Sequence, residues 1–172
     1  VFEHLAAEFS RPFGGEAQGL LAGTAHDIGK YSAAFQRRLT GDSRRVDHAT
    51  AGAFECMGRG QPFAAFAVAG HHGGLPDGGG RGDGPEAATF WGRIKRAGRG
   101  GLEPYGAWAR EVSLPGGQPP PFAKQNPGAG MFFIRMLYSC LVAADFLDTE
   151  DFMSGKPRGS CSGCWKKKAP SI

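Results

Sequence analysis

The sequence predicts an all-α domain, a helical bundle with long Gly/Pro-rich loops. Three observations carry that expectation. Apolar residues recur at helical spacing through most of the chain, and no period-2 alternation of useful length appears. The chain has 29 glycines and 12 prolines, and much of that content sits between Gly73 and Gly130, which marks loops rather than low complexity. At 172 residues, 41% hydrophobic and 21% charged, the chain has the size and composition of one globular domain, and disorder as its main state is excluded.

The elements follow in order. Phe2 to Phe9 reads as a short helix. Glu16 to Leu39 carries Leu20, Leu21, Ala25, Ile28, Ala34, Phe35 and Leu39 on a workable helical face, with Gly29 marking a bend or a close approach and Gly41 ending it. Asp47 or Thr50 caps a helix through Met57, closed by Gly58 and Gly60. Pro62 suits the first turn of the next, which runs through Ala69. Leu75 to Pro85 is loop, Glu86 to Ala97 and Leu102 to Val112 are helix candidates, and Pro115 to Pro127 is loop again. Gly130 to Phe152 is the strongest helix, apolar on most sides from Met131 to Leu147, and is expected in the middle of the bundle.

No stretch approaches ~20 uninterrupted apolar residues, so no membrane span is expected. No secretory signal is evident, and a cytoplasmic location is the expectation. Val1 in place of Met fits a piece of something longer. The net charge of +4 permits an acidic partner such as nucleic acid without demanding one. Cys56 and Cys140 read as small core hydrophobes. Cys161 and Cys164 form a lone CxxC, half a zinc site at most, and fit a tail better.

The chemistry lies in the histidines. There are five, and His4, His26, His48 and His71 are spaced by 22, 22 and 23 residues, with His72 directly after. Each gap fits one excursion of two short helices that returns the chain to the same level. Asp27 and Asp145 fall in apolar helical surroundings, where an ionised carboxylate needs a strong partner. Metal coordination makes all seven placements sensible together. Seven side-chain ligands overfill one centre and suit two ions about 3.5–4 Å apart, with a carboxylate able to bridge them. Imidazole-rich shells favour transition metals over magnesium.

The string Ala25-His26-Asp27-Ile28-Gly29-Lys30 resembles the signature of the HD phosphohydrolase superfamily. Together with Asp47-His48-Ala49-Thr50-Ala51-Gly52-Ala53, Gly70-His71-His72-Gly73-Gly74-Leu75-Pro76 and Ala144-Asp145-Phe146-Leu147-Asp148-Thr149-Glu150, it resembles more closely the HD nuclease domain of the CRISPR type I interference nuclease-helicase. The resemblance spans roughly residues 1 to 153, with 154–172 as a tail or linker. It implies an HD-domain helical bundle that cuts single-stranded DNA with two divalent ions, Mn, Fe, Ni or Co rather than Mg. It implies one ion on His4, His26, Asp27 and Asp145, a second on His48, His71 and His72 with Asp27 bridging, and Lys30 near the reacting phosphate, with Asp27 and Lys30 as the catalytic pair. It also implies a superfamily 2 helicase, in cis or in trans, a surveillance complex of the Cascade type and a possible inhibitor protein as partners. No GxxxxGK[ST] loop is present, so the motor is not within this sequence. An acidic residue common in the family is replaced by Ala143, and the tail from Ser160 onward matches nothing in it.

The strand would need electropositive walls. Arg93, Lys95 and Arg96 are the leading candidates for backbone contacts, with Arg37, Arg38, Arg44, Arg45 and Arg99 behind them. Trp91, Tyr105 and Trp108 are candidates for base stacking, although such aromatics more often belong to a core. Two rival readings are an HD phosphohydrolase acting on nucleotides or cyclic nucleotides, and a metal-stabilised binding module without turnover.

Overall fold

The computed structural model describes residues 2–41 and 46–154, and among these it is all-α, with seven α-helices and no strand. The helices are α1 (Phe2–Ser10), α2 (Glu16–Ala25), α3 (Ala33–Leu39), α4 (Ala49–Gly58), α5 (Pro62–Gly70), α6 (Phe90–Gly98) and α7 (Pro127–Met153). Short 3₁₀ turns cover Arg11–Phe13, Ile28–Tyr31, Gly106–Arg110 and Pro121–Lys124. Arg44, Arg45 and the Cys161/Cys164 pair lie outside the described residues.

The span Glu16 to Leu39 is not one helix. The chain leaves α2 after Ala25, makes the 3₁₀ turn Ile28–Tyr31, and restarts at Ser32, whose backbone is extended and whose hydroxyl accepts the Phe35 amide. Apolar spacing continues through the break, so periodicity alone could not reveal it. The candidate helix at Leu102 to Val112 is only a 3₁₀ turn, and the one at Glu86 begins later, at Phe90, where Thr89 caps it. Asp47 caps α4, accepting the Thr50 amide on Oδ1.

The middle of the bundle belongs to α5, not α7. Every α5 residue from Ala64 to Gly70 is buried, and the helix packs on α2, α4 and α7. Five of its nine residues are Ala or Gly, PFAAFAVAG, which lets neighbouring backbones approach closely. Helix α7 is apolar all round, yet it buries only a stripe, Gly130, Phe133, Ile134, Leu137, Leu141 and Ala144, against α1, α2 and α5. Its other face leaves Phe132, Phe146, Phe152 and Met153 exposed. By length and composition α7 could cross a membrane, but its buried stripe belongs to the helical core. Cys56 is wholly buried, which pushes its thiol up to about 12, and Cys140 is half-buried.

Phe133 is the hub of that stripe, meeting Phe13, Phe63 and Phe122 edge-on at centroid distances of 5.8, 5.5 and 5.9 Å. Phe133→Ala is therefore expected to cost about 3–5 kcal/mol. The neighbouring Phe132→Ala is expected to cost about 0.5 kcal/mol or less, since Phe132 is 56% exposed. Urea unfolding of the two variants checks the ordering, and equal losses would refute the assigned face.

Candidate metal centre

The site is made where helix ends converge. His26 is the first residue beyond α2 and Asp27 opens the 3₁₀ turn. His48 stands at the start of α4, and His71 follows the last residue of α5, with His72 next to it. The HD pair thus lies at a helix end rather than inside a helix. Two glycines permit the approach. A Cβ on Gly29 would come within 2.1 Å of the His48 carbonyl oxygen, and one on Gly52 within 2.0 Å of the Ala25 carbonyl oxygen. Gly29 therefore marks a close approach.

Asp27, His48, His71 and His72 each offer a ligand atom, all within 4.8 Å of one another, and so form a group that could hold a metal ion. The Nε2 atoms of His48 and His72 are 2.7 Å apart, and His48 Nε2 is 3.6 Å from Asp27 Oδ1. Asp27 Oδ2 takes His26 Nε2 at 3.1 Å and Lys30 Nζ at 2.6 Å. Lys30, three residues after Asp27 on a tight turn, thus faces the site.

Two of the rings are locked in the same way. His26 Nδ1 donates to the Gly23 carbonyl and His71 Nδ1 to the Val68 carbonyl, each at 2.7 Å and each three residues back. A carbonyl only accepts, so both Nδ1 atoms carry the proton; His26 Nε2 faces the Asp27 carboxylate, and His71 Nε2 keeps a lone pair. That is the tautomer a metal requires, held by the outer hydrogen bond that ligating histidines commonly make. Asp27 Oδ1, His48 Nδ1 and His71 Nε2 are buried without a hydrogen-bond partner. Such orphans are rare in folded proteins. A nitrogen-rich set with one carboxylate fits a divalent transition ion.

The electrostatics agree. Burial pushes His71 down to about 3, and the nearby His26 and His72 add to the fall, so its imidazole is neutral at physiological pH. Burial also lowers His48, against the pull of Asp27. Burial alone would raise Asp27, but the hydrogen bonds and charges of His26 and Lys30 outweigh it and hold the carboxyl well below its usual range.

The expected seven ligands are not gathered as one set. The group of four holds Asp27, His48, His71 and His72, and His26 flanks it through Asp27. His4 lies outside that group, on the solvent side of α1, with 76% of its side chain exposed and Glu3 nearby at 4.0 Å. Asp145 also lies outside it, half-buried on α7. The expectation of apolar helical surroundings for Asp145 meets a helix that buries only one stripe, with Asp145 beside the buried Ala144.

The basic residues expected to meet a strand bond to neighbouring parts of the chain, Arg93 and Lys95 half-buried and Arg96 and Arg37 exposed. Arg93 donates to Thr50, to the Ala69 carbonyl and to Asp47. Lys95 donates to the Arg81 and Asp83 carbonyls, and Arg96 to that of Pro85. Arg37 pairs with Glu103. Trp108 is buried in the core, and the Tyr105 hydroxyl donates to Glu55. Both act as packing groups. Sequence reasoning missed the Asp47–Thr50–Arg93 cluster. Asp47 beside His48 was a local signal, whereas Arg93, 43 residues from Thr50, offered none.

The low proton affinity of His71 has a consequence for stability. Between about 6.5 and 3 the unfolded chain binds a proton that folded His71 does not, so stability present above 6.5 is lost as pH falls toward 3. Asp27 adds a further loss only below 3.8, its unperturbed value. Urea unfolding in chelator is expected to show a lower midpoint at pH 5 than at pH 7, with His71→Gln flattening the difference. An unchanged midpoint would contradict the buried neutral imidazole. Compared with protein-family models and with curated proteins, the chain matches none, so the assignment of this centre rests on its own side chains.

Proposed function

We propose that the protein is a metal-dependent phosphodiester hydrolase of the HD type, acting on single-stranded DNA in CRISPR type I interference. The observation that carries the reading is the convergence of Asp27, His48, His71 and His72 around buried, unpartnered donor atoms. The motif order described above supplies the substrate class. In this reading a helicase and a Cascade-type surveillance complex deliver the strand, and the protein works in the cytoplasm.

Asp27, His26, His48, His71 and His72 would hold the divalent ions, Mn, Fe, Ni or Co, with His4 and Asp145 as further ligands of the proposed pair. When bound, such ions lower the pKa of water and offset charge on a phosphate. The remaining work falls to the chain itself. Asp27 stays ionised because His26 and Lys30 outweigh its burial. His71 stays neutral and keeps its Nε2 lone pair, with Nδ1 tied to Val68. Lys30, bonded to Asp27 and 41% exposed, presents its ammonium where a phosphate would bear growing negative charge. A cleft lined by His48, His72, Gly73, Gly74, Leu75 and Pro76 opens beside the imidazoles and offers an approach to them.

The test is Asp27→Ala, assayed for bound metal and for cleavage of circular single-stranded DNA with Mn. Loss of metal and a fall in cleavage of about a hundredfold or more is expected, as for loss of a principal electrostatic contributor. Unchanged metal content and turnover would refute the proposal. Hydrolysis of nucleotides with no cutting of the circle would favour a nucleotide phosphohydrolase, and full occupancy without turnover a binding module.

A further inference from the structure

The two segments that carry the centre's histidines are joined through a single side chain from a third helix. Asp47, immediately before His48, caps α4 by accepting the Thr50 amide at 3.1 Å and the Thr50 hydroxyl. The Ala69 carbonyl, two residues before His71, is one of the last in α5 and has no helical partner of its own. Arg93, projecting from α6, bonds both. Its Nη2 donates to Asp47 Oδ1 at 2.8 Å, its Nη1 donates to the Ala69 carbonyl at 2.8 Å, and its Nε donates to the Thr50 hydroxyl. All three guanidinium nitrogens are thereby engaged, and only 22% of the side chain is exposed.

We propose that Arg93 is a positioning residue of the metal centre, fixing the start of α4, with His48, against the end of α5, with His71 and His72, through Asp47, Thr50 and the Ala69 carbonyl. The inference rests on the metal-centre reading above. A guanidinium suits the task because its donors lie in one rigid plane. Its charge favours the C-terminal end of α5, while the Asp47 carboxylate favours the N-terminal end of α4. The three bonds of Arg93 go to Thr50, Ala69 and Asp47 and to none of the four ligand residues. It acts on the backbone segments that bear them, which explains why its donors are unavailable to a DNA phosphate.

The experiment is Mn²⁺ titration calorimetry on the full chain, at a temperature where circular dichroism shows each protein folded, beside binding of a single-stranded oligonucleotide in chelator. Arg93→Met is expected to weaken Mn²⁺ binding about tenfold or more, the range seen when an outer partner of a metal site is removed. Arg93→Lys, which keeps the charge but not the planar fork, is expected to recover only part of that loss. Thr50→Val keeps the side chain's shape, and is expected to weaken Mn²⁺ binding in the same direction; it carries the test if Arg93→Met does not fold. Chelated oligonucleotide binding should stay within twofold of wild type in every variant. Mn²⁺ affinity unchanged within twofold in folded variants would overturn the brace, as would a loss confined to the oligonucleotide. Failure of the wild-type protein to bind Mn²⁺ would instead overturn the metal-centre reading, and the brace with it.

Discussion

The structure is organised around donor atoms that have been brought together and left unsatisfied. A buried polar atom without a partner costs about 1–3 kcal/mol, and here Asp27 Oδ1, His48 Nδ1 and His71 Nε2 are all in that state within one small region. Asp27 Oδ1 and His71 Nε2, the latter freed because His71 Nδ1 is tied to a carbonyl, belong to residues that cluster with His48 and His72 in a group that could hold a cation. The low proton affinity of His71 follows from the same placement, since a buried imidazole among other imidazoles resists a charge of its own.

Small residues make that convergence possible. The ends of α2, α4 and α5 can meet only if their backbones come closer than ordinary side chains allow, and Gly29 and Gly52 stand at the two tightest points, each facing a carbonyl oxygen. The alanines of α5 serve the same end in the core, where Ala64, Ala65 and Ala67 are wholly buried. The price of a core built from methyl groups is little apolar area per residue, and the aromatic cluster around Phe133, which meets α5 at Phe63 near its other end, supplies bulk where the site does not need proximity. Packing thus divides between a tight end that shapes the centre and a bulky end that stabilises it.

Much of the centre was legible because its residue types are conspicuous against their surroundings. A His-Asp pair after an apolar run, a second histidine preceded by an acid, and a His-His pair beyond an alanine-rich helix each conflict with the local pattern, and such conflicts tend to fall at functional sites. The all-α class was legible from periodicity. What escaped were features that depend on distant chain. The break between α2 and α3 leaves the apolar spacing intact and is set by Ser32 as a cap. The outer face of α7 is as apolar as the inner one, so hydrophobicity could not say which side is covered. Arg93 looks like any basic residue on an amphipathic helix until Asp47, Thr50 and Ala69 are brought around it.

The same geometry gives the centre a closed side and an open side. His26 and His71 are anchored to carbonyls of their own helices and are 7% and 5% exposed, so core stands behind them. Lys30 and His72 reach solvent, and the cleft past Gly73 and Gly74 opens beside His72. On that side Asp27 shares its Oδ2 with Lys30 and His26, so the acid of the cluster is screened by the ammonium beside it. Lys30 stands three residues after Asp27 on the 3₁₀ turn that follows α2, the spacing at which two side chains on a helical turn meet, so the turn that carries the acid also carries its cation.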